Sequence, residues 1–217
     1  MNGKRKVFII SILVVMVITM IAVGFYYWYE NTYYVSTEDA RVTGTIFHVT
    51  PQIAGKLLEF NLAEGQEVNK GQIAGRQEMV NLPDSNLEMA TMRTPIKGIV
   101  LKKQGNVGEV VTPGQVLAML VNPDDLYISA NIDETKIDRI KPGEVVDITI
   151  DSYPGKDFSG RVKSVGQATA ATFSILPTST GGNFTKVVQK IPVKISMTAN
   201  DVKLLPGTSA VIKIHVK

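Results

Sequence analysis

Residues 50–75, TPQIAGKLLEFNLAEGQEVNKGQIAG, and residues 94–122, TPIKGIVLKKQGNVGEVVTPGQVLAMLVN, are two versions of one pattern. An offset of 43 places Gly55 on Gly98, Gly65 on Gly108, Val68 on Val111, Gly71 on Gly114 and Gln72 on Gln115. Each version reads as a strand entered through a glycine, a first turn at Gly65 or Gly108, a short strand at Val68 or Val111, and a second turn at Lys70-Gly71 or Pro113-Gly114. Glycine suits turn positions with positive φ, and Pro-Gly favours turning. Either half alone buries too little apolar surface to stand by itself, so the two halves are expected to interlock.

Beyond Asn122-Pro123 the period lengthens into alternating strands. Leu126, Ile128, Ala130 and Ile132 alternate with Tyr127, Ser129, Asn131 and Asp133, and Val146, Ile148 and Ile150 alternate with polar neighbours. Further strands are expected at residues 160–165, 191–197 and 209–216, with one helical turn at 134–140 ended by Lys141-Pro142-Gly143. Such alternation describes an antiparallel sheet or small barrel with one polar face.

The N-terminus is different in kind. Residues 7–29, VFIISILVVMVITMIAVGFYYWY, carry no charge. At about 1.5 Å per residue they match the roughly 30 Å hydrocarbon core of a bilayer. Tyr26, Tyr27, Trp28 and Tyr29 end the stretch as a membrane-interface cluster, and Lys4, Arg5 and Lys6 before it set the topology, holding the N-terminus in the cytoplasm. A cleaved signal peptide is the competing reading, with Ala22-Val23-Gly24 as its processing site. Both readings export the rest of the chain.

Charge supports that division. The 217 residues hold 23 Lys and Arg against 20 Asp and Glu, a net +3, and the excess equals the N-terminal triplet. The remainder is formally neutral, so no basic surface for nucleic acid is expected. With no cysteine, thiol chemistry, disulfides and zinc-finger spacing are excluded. His48 and His215 lack ligand partners in sequence, and no nucleophile elbow, H-E-x-x-H or phosphate loop occurs. No cofactor, no metal and no enzyme activity are expected. The adjacent acids Glu38-Asp39, Asp124-Asp125 and Asp133-Glu134 read as solvated turn and edge residues.

The repeated half-unit resembles the biotinyl/lipoyl domain, whose carrier members modify a lysine on the hairpin joining the halves. Here that connection, residues 76–93, contains no lysine. A swinging-arm carrier is thereby disfavoured. The whole layout resembles the HlyD-type membrane fusion (adaptor) proteins, in particular their EmrA-like branch. The resemblance is carried by the N-terminal span, STEDARVTG at residues 36–44, the split lipoyl-like domain, and residues 171–195, ATFSILPTSTGGNFTKVVQKIPVKI. It implies a mainly β chain with an N-terminal transmembrane helix, a split biotinyl/lipoyl-like domain and a C-terminal antiparallel β-barrel. The expected divisions are 1–29 basic start and anchor, 30–45 linker and joining strand, 46–122 lipoyl-like domain and 123–217 barrel.

The same resemblance implies an efflux adaptor: a homo-oligomer seated in membrane lipid beside an integral membrane transporter, of the major-facilitator type before the ABC type. Gram-negative adaptors separate the lipoyl halves by a long helical hairpin. Residues 76–92 allow about 12 Å of reach as two helical arms, and Pro83 interrupts them. Docking onto a distant outer-membrane channel is therefore excluded. Phe173, Ile175, Leu176, Pro177 and Asn183, in the long loop at 166–183, are the candidate partner contacts. A flap packed on its own barrel is the alternative for that loop. Asn183-Phe184-Thr185 also forms a glycosylation triplet. The alternative function is a membrane-tethered extracellular binding or sensor module.

Overall fold

The computed structural model describes residues 3–78, 88–169, 188–198, 202 and 204–216, with side chains described from residue 11 onward. Helix α1 (Gly3–Tyr33) is followed by β1 (Tyr34–Thr43), β2 (Ile46–Val49), β3 (Gly55–Phe60), β4 (Glu67–Val68), β5 (Ile73–Gln77) and β6 (Thr91–Arg93). Then come β7 (Gly98–Lys103), β8 (Val110–Val111), β9 (Ala118–Val121), β10 (Tyr127–Asp133) and the one-turn helix α2 (Glu134–Ile137). The chain ends in β11 (Val145–Ile150), β12 (Asp157–Val165), β13 (Lys190–Met197) and β14 (Ser209–His215). It divides into two compact units, one made of Met1–Arg41, Ile128–Asn200 and Ser209–Lys217, the other of Val42–Tyr127 and Asp201–Thr208.

The second unit is a sandwich of two four-stranded sheets, ordered β2-β9-β7-β4 and β6-β5-β3-β8. The 43-residue offset carries β3 onto β7 and β4 onto β8 residue for residue. The halves exchange their short strands: β4 pairs with β7, and β8 pairs with β3. The bonds are reciprocal as well, Gly65 N–H to the Val100 carbonyl at 2.8 Å and Gly108 N–H to the Leu57 carbonyl at 2.7 Å. Gly65 (φ 79°) and Gly108 (φ 95°) each hold the third place of a four-residue turn, where a side chain would be strained. Leu57, Val100, Val68, Val111, Leu117 and Leu120 are fully or almost fully buried between the sheets. Each such side chain contributes roughly 1.5–3 kcal/mol on leaving water.

The first unit joins α1 to a closed barrel ordered β1-β10-β13-β12-β11-β14. The expected alternation appears directly as burial, with Ile128, Ala130 and Ile132 inward on β10, and Val146, Ile148 and Ile150 inward on β11. Val35, Phe158, Val162, Val193, Ile195, Ala210, Ile212 and Ile214 complete the interior. A six-stranded barrel packed this way is a solid core, so it offers no lumen for a solute.

Candidate functional site

No residue separates α1 from the barrel: the helix ends at Tyr33 and β1 begins at Tyr34. Three further contacts hold that junction. Val216 N–H donates to the Tyr33 carbonyl at 2.9 Å, the Arg139 guanidinium donates to the Thr32 carbonyl at 2.5 Å, and Lys213 Nζ meets Glu30 Oε1 at 2.6 Å. The Glu30 carboxylate, by hydrogen bonding, holds the Lys213 ammonium above the usual lysine range. Lys213 also lies 4.0 Å above the Tyr34 ring, and His215 stacks edge-on against that ring while its Nε2 contacts Asp147 Oδ2 at 2.6 Å. His215, without ligand partners in sequence, is therefore part of a polar collar around the helix exit.

Ser11–Tyr33 is long and apolar enough to cross a membrane, with mean hydropathy 2.1 and no part of it buried by protein. Its polar interruption at Thr19 is neutralised internally, the hydroxyl donating to the Val15 carbonyl at 2.9 Å. Tyr26, Tyr27, Trp28 and Tyr29 are all exposed on successive faces of the helix. Tyr29 packs on Tyr33 with ring centroids 4.7 Å apart. The backbone of Lys4, Arg5 and Lys6 lies within α1; their side chains fall outside the described residues.

A second polar centre lies on the outer surface of the barrel, built from two segments that sequence reading singled out for other reasons. Pairing of β1 with β14 shifts register between Thr37 and Ala40, a bulge that turns Asp39 out of the ladder. Thr37 Oγ1 accepts the Asp39 N–H at 3.1 Å and donates to the Asn131 carbonyl at 3.0 Å. The redirected carboxylate then crosses β10. Its Oδ1 accepts Asn131 Nδ2 at 3.2 Å, and its Oδ2 accepts Lys190 Nζ on β13 at 2.8 Å. Arg41 stands 3.9 Å away. The bond from Lys190 pulls the Asp39 carboxyl below its usual range against an opposing effect of burial, and the Lys190 ammonium rises in response.

Asp39 is therefore a partnered acid on a strand of a closed barrel and not a free edge residue, which corrects its part in the reading of the Glu38-Asp39 pair. A polar residue two before it on a strand is the available signal, but the partner lies 151 positions along the chain and no local pattern points to it. The start of β13 is tied on its other flank too, Glu134 N–H donating to the Gln189 carbonyl at 2.9 Å. Phe173, Ile175, Leu176, Pro177 and Asn183 lie outside the described residues.

In the sandwich unit, residues 78–90 join β5 to β6, the place where a carrier domain would present its lysine. At the base of this connection Thr50, Gln52, Glu88, Met89, Thr91, Met92 and Arg93 line a shallow recess of about 380 Å³. Glu88 and Arg93 face each other across it at 3.6 Å. Among the described residues no three His, Cys, Asp or Glu side chains converge as metal ligands would.

Residues 45–123 match the family model described as "RND MFP, barrel-sandwich hybrid domain", and residues 126–214 match "YknX-like beta-barrel domain". Over 186 residues the chain is 38% identical to YhbJ of Bacillus subtilis (strain 168), named as a candidate efflux system component, covering 85% of this chain and 81% of that one. It is 34% identical over 122 residues to the colistin resistance protein EmrA of Acinetobacter baumannii, covering 56% of this chain but 35% of EmrA. Among solved structures, the membrane fusion protein Spr0693 from Streptococcus pneumoniae R6 shares the fold, with a TM-score of 0.62 at 16% identity over 85% of this chain and 99% of that one.

Proposed function

This chain belongs to the membrane fusion protein family of efflux adaptors, and from that premise we propose that it couples a major-facilitator transporter to export on the outer face of the membrane. The adaptor role is that of the family, and in this proposal the chain performs it without chemistry of its own. The observation that carries it is the seamless junction at Tyr33-Tyr34, braced by Arg139 and Lys213. A binding or sensor module on a tether would be free to search for ligand, whereas a braced barrel is held against the membrane surface where a transporter opens.

In this reading Lys4, Arg5 and Lys6 stay in the cytoplasm, Tyr26, Tyr27, Trp28 and Tyr29 lie at the headgroups, and everything from Tyr34 onward is outside. Phe173, Ile175, Leu176, Pro177 and Asn183 contact the transporter. Substrate passes along the outer surfaces of assembled copies, since the packed barrel has no lumen. The short β5–β6 connection suits a machine working at one membrane.

Deleting the protein while retaining its transporter is expected to raise accumulation of exported compounds, and the export it supports is expected to collapse with a proton-gradient uncoupler. Unchanged accumulation, together with ligand binding by the exported part, would favour the sensor reading. Export that survives the uncoupler but fails on ATP depletion would shift the partner to an ABC transporter. Because the chain has no native cysteine, single cysteines introduced beyond Tyr34 report orientation through labelling by a membrane-impermeant maleimide.

A further inference from the structure

The barrel end at the helix exit treats its charges unevenly. Two of its acids are taken, Glu30 by Lys213 and Asp147 by His215. Its arginines are fixed by carbonyls instead. One N–H of the Arg139 guanidinium goes to the Thr32 carbonyl of α1, and one of Arg161 goes to the Gly143 carbonyl at 3.1 Å. A carbonyl orients a guanidinium without neutralising it, and each arginine keeps further N–H donors for another acceptor.

Three lysines join them. Lys136 lies on the turn that leads to Arg139, its carbonyl accepting the Arg139 N–H at 3.3 Å. The turn at 141–144 lies against β12, Gly143 N–H donating to the Val162 carbonyl at 2.8 Å and Val162 N–H to the Glu144 carbonyl at 2.9 Å. Arg161 and Lys163 are exposed on either side of buried Val162, next to exposed Lys141. Among the described residues no carboxylate stands within 4.0 Å of any of these five cations. The loop 134–144 adds only Glu134, Asp138 and Glu144, so positive charge is in excess.

Depth along α1 decides what such a surface meets. Thr32 stands three residues beyond Tyr29, about 4.5 Å along the axis, and the headgroup layer is roughly 5–7 Å thick on each side of the hydrocarbon. With Tyr29 where the hydrocarbon ends, the bond to Thr32 holds the Arg139 guanidinium at the level of lipid phosphates.

We infer that this end of the barrel binds anionic phospholipid headgroups: Arg139 and Arg161 present guanidinium donors to phosphate, and Lys136, Lys141 and Lys163 add charge. The inference rests on the reading that the barrel is held at the membrane surface, and it is indifferent to the transporter class.

Trp28, the single tryptophan of the chain, is a built-in probe: it is exposed and stands one turn before Thr32 on the same helix face. The full chain is placed in vesicles of phosphatidylcholine and phosphatidylglycerol in equal parts, with bromine on the acyl chains of one lipid or of the other, near the headgroup. Trp28 is expected to be quenched about twofold more by the brominated anionic lipid. Near 1 M salt, where the screening length falls to about 3 Å, that preference is expected to vanish. Lys141→Gln with Lys163→Gln removes two side chains that make no hydrogen bond or ion pair among the described residues, and is expected to remove about half of the preference. Adding Arg139→Gln and Arg161→Gln is expected to abolish it, whereas Arg139→Lys with Arg161→Lys keeps most of it. Lys156→Gln takes a charge from the opposite end of β11 and β12 and is expected to change nothing.

Equal quenching by the two lipids in wild type, or a preference that survives high salt, would overturn the inference. So would a preference that falls as far with Lys156→Gln as with the lysine pair. If the arginine variants fail to fold, the lysine pair alone decides. An unchanged preference in that pair together with lost export would assign the patch to an acidic partner protein and sink the lipid assignment. Failure of the adaptor reading looks different: deletion leaves accumulation unchanged while the quenching preference, measured without any transporter, still stands.

Discussion

The two halves of the sandwich share a backbone and differ in what they show to solvent. Gly65 and Gly108, Gln72 and Gln115, and Leu57 and Val100 are equivalent in place and in partner. Gln72 caps the Asn69 N–H at 3.1 Å, and Gln115 caps the Thr112 N–H at 3.2 Å. At exposed positions beside these turns the match loosens. Exposed Glu64 and Glu67 in the first half become Val107 and Val110 in the second, 60% and 73% exposed. Turn geometry and the interlocked core keep the repeat; the surface is free to diverge. Equivalent substitutions in the two halves therefore measure which terms the symmetry protects.

The largest effect is expected at the glycines that open β3 and β7. A Cβ at Gly98 would lie 2.2 Å from the Val121 carbonyl oxygen, and one at Gly55 would lie 2.7 Å from that of Glu78. Backbone cannot yield as a side chain can, so Gly98→Ala is expected to cost about 3 kcal/mol or more and Gly55→Ala about 2 kcal/mol. Urea unfolding of the detergent-solubilised chain checks both; equal costs would mean that the tighter contact relaxes.

Next come the paired core residues. Leu57→Ala is expected to cost about 3 kcal/mol and Val100→Ala about 2 kcal/mol, the difference following the volume removed. A cost confined to one of them would show that the halves do not unfold as one body.

A subtler break in the symmetry concerns protons. Gln66 Oε1 accepts the Ala63 N–H in the first half, and Glu109 accepts both the N–H and the side-chain amide of Asn106 in the second. The hydrogen bond donated by the Asn106 side-chain amide lowers the Glu109 carboxyl below its ordinary 4.5. A lowered folded-state value means that Glu109 lends stability fully above pH 4.5, and that this share is lost as pH falls through the lowered value. Glu109→Gln makes the halves alike, and its stability is expected to fall less on acidification than that of wild type. Parallel pH profiles for the two proteins would refute this.

Smallest of all is the surface. Val107→Glu with Val110→Glu copies the first half onto the second and is expected to change stability by no more than about 0.5 kcal/mol. A larger loss would reveal folding contacts that their exposure does not suggest.

What the sequence disclosed follows the range of the forces involved. The offset of 43 located β7 from β3 because turn glycines, their capping residues and the strand-entry glycines act within a few residues of one another. Alternation at 128–132 and 146–150 showed the barrel faces for the same reason. Asp39 escaped because its environment depends on the register of β1 against β14 and on the crossing of β10, both settled by chain segments more than ninety residues away. The collar around Tyr34 escaped similarly: Glu30, Arg139 and Lys213 meet only after the barrel closes. Local chemistry writes itself into local sequence, whereas polar groups that converge across strands leave no periodic trace.

The direct passage from Tyr33 to Tyr34 also reduces the dimensionality of a search. A barrel on a flexible leash explores three rotations and a volume before it can dock. One continuous with its own membrane helix has little left beyond sliding in the plane and turning about the membrane normal. Much of the orientational freedom that association normally forfeits is then surrendered once, at insertion, before any transporter is met.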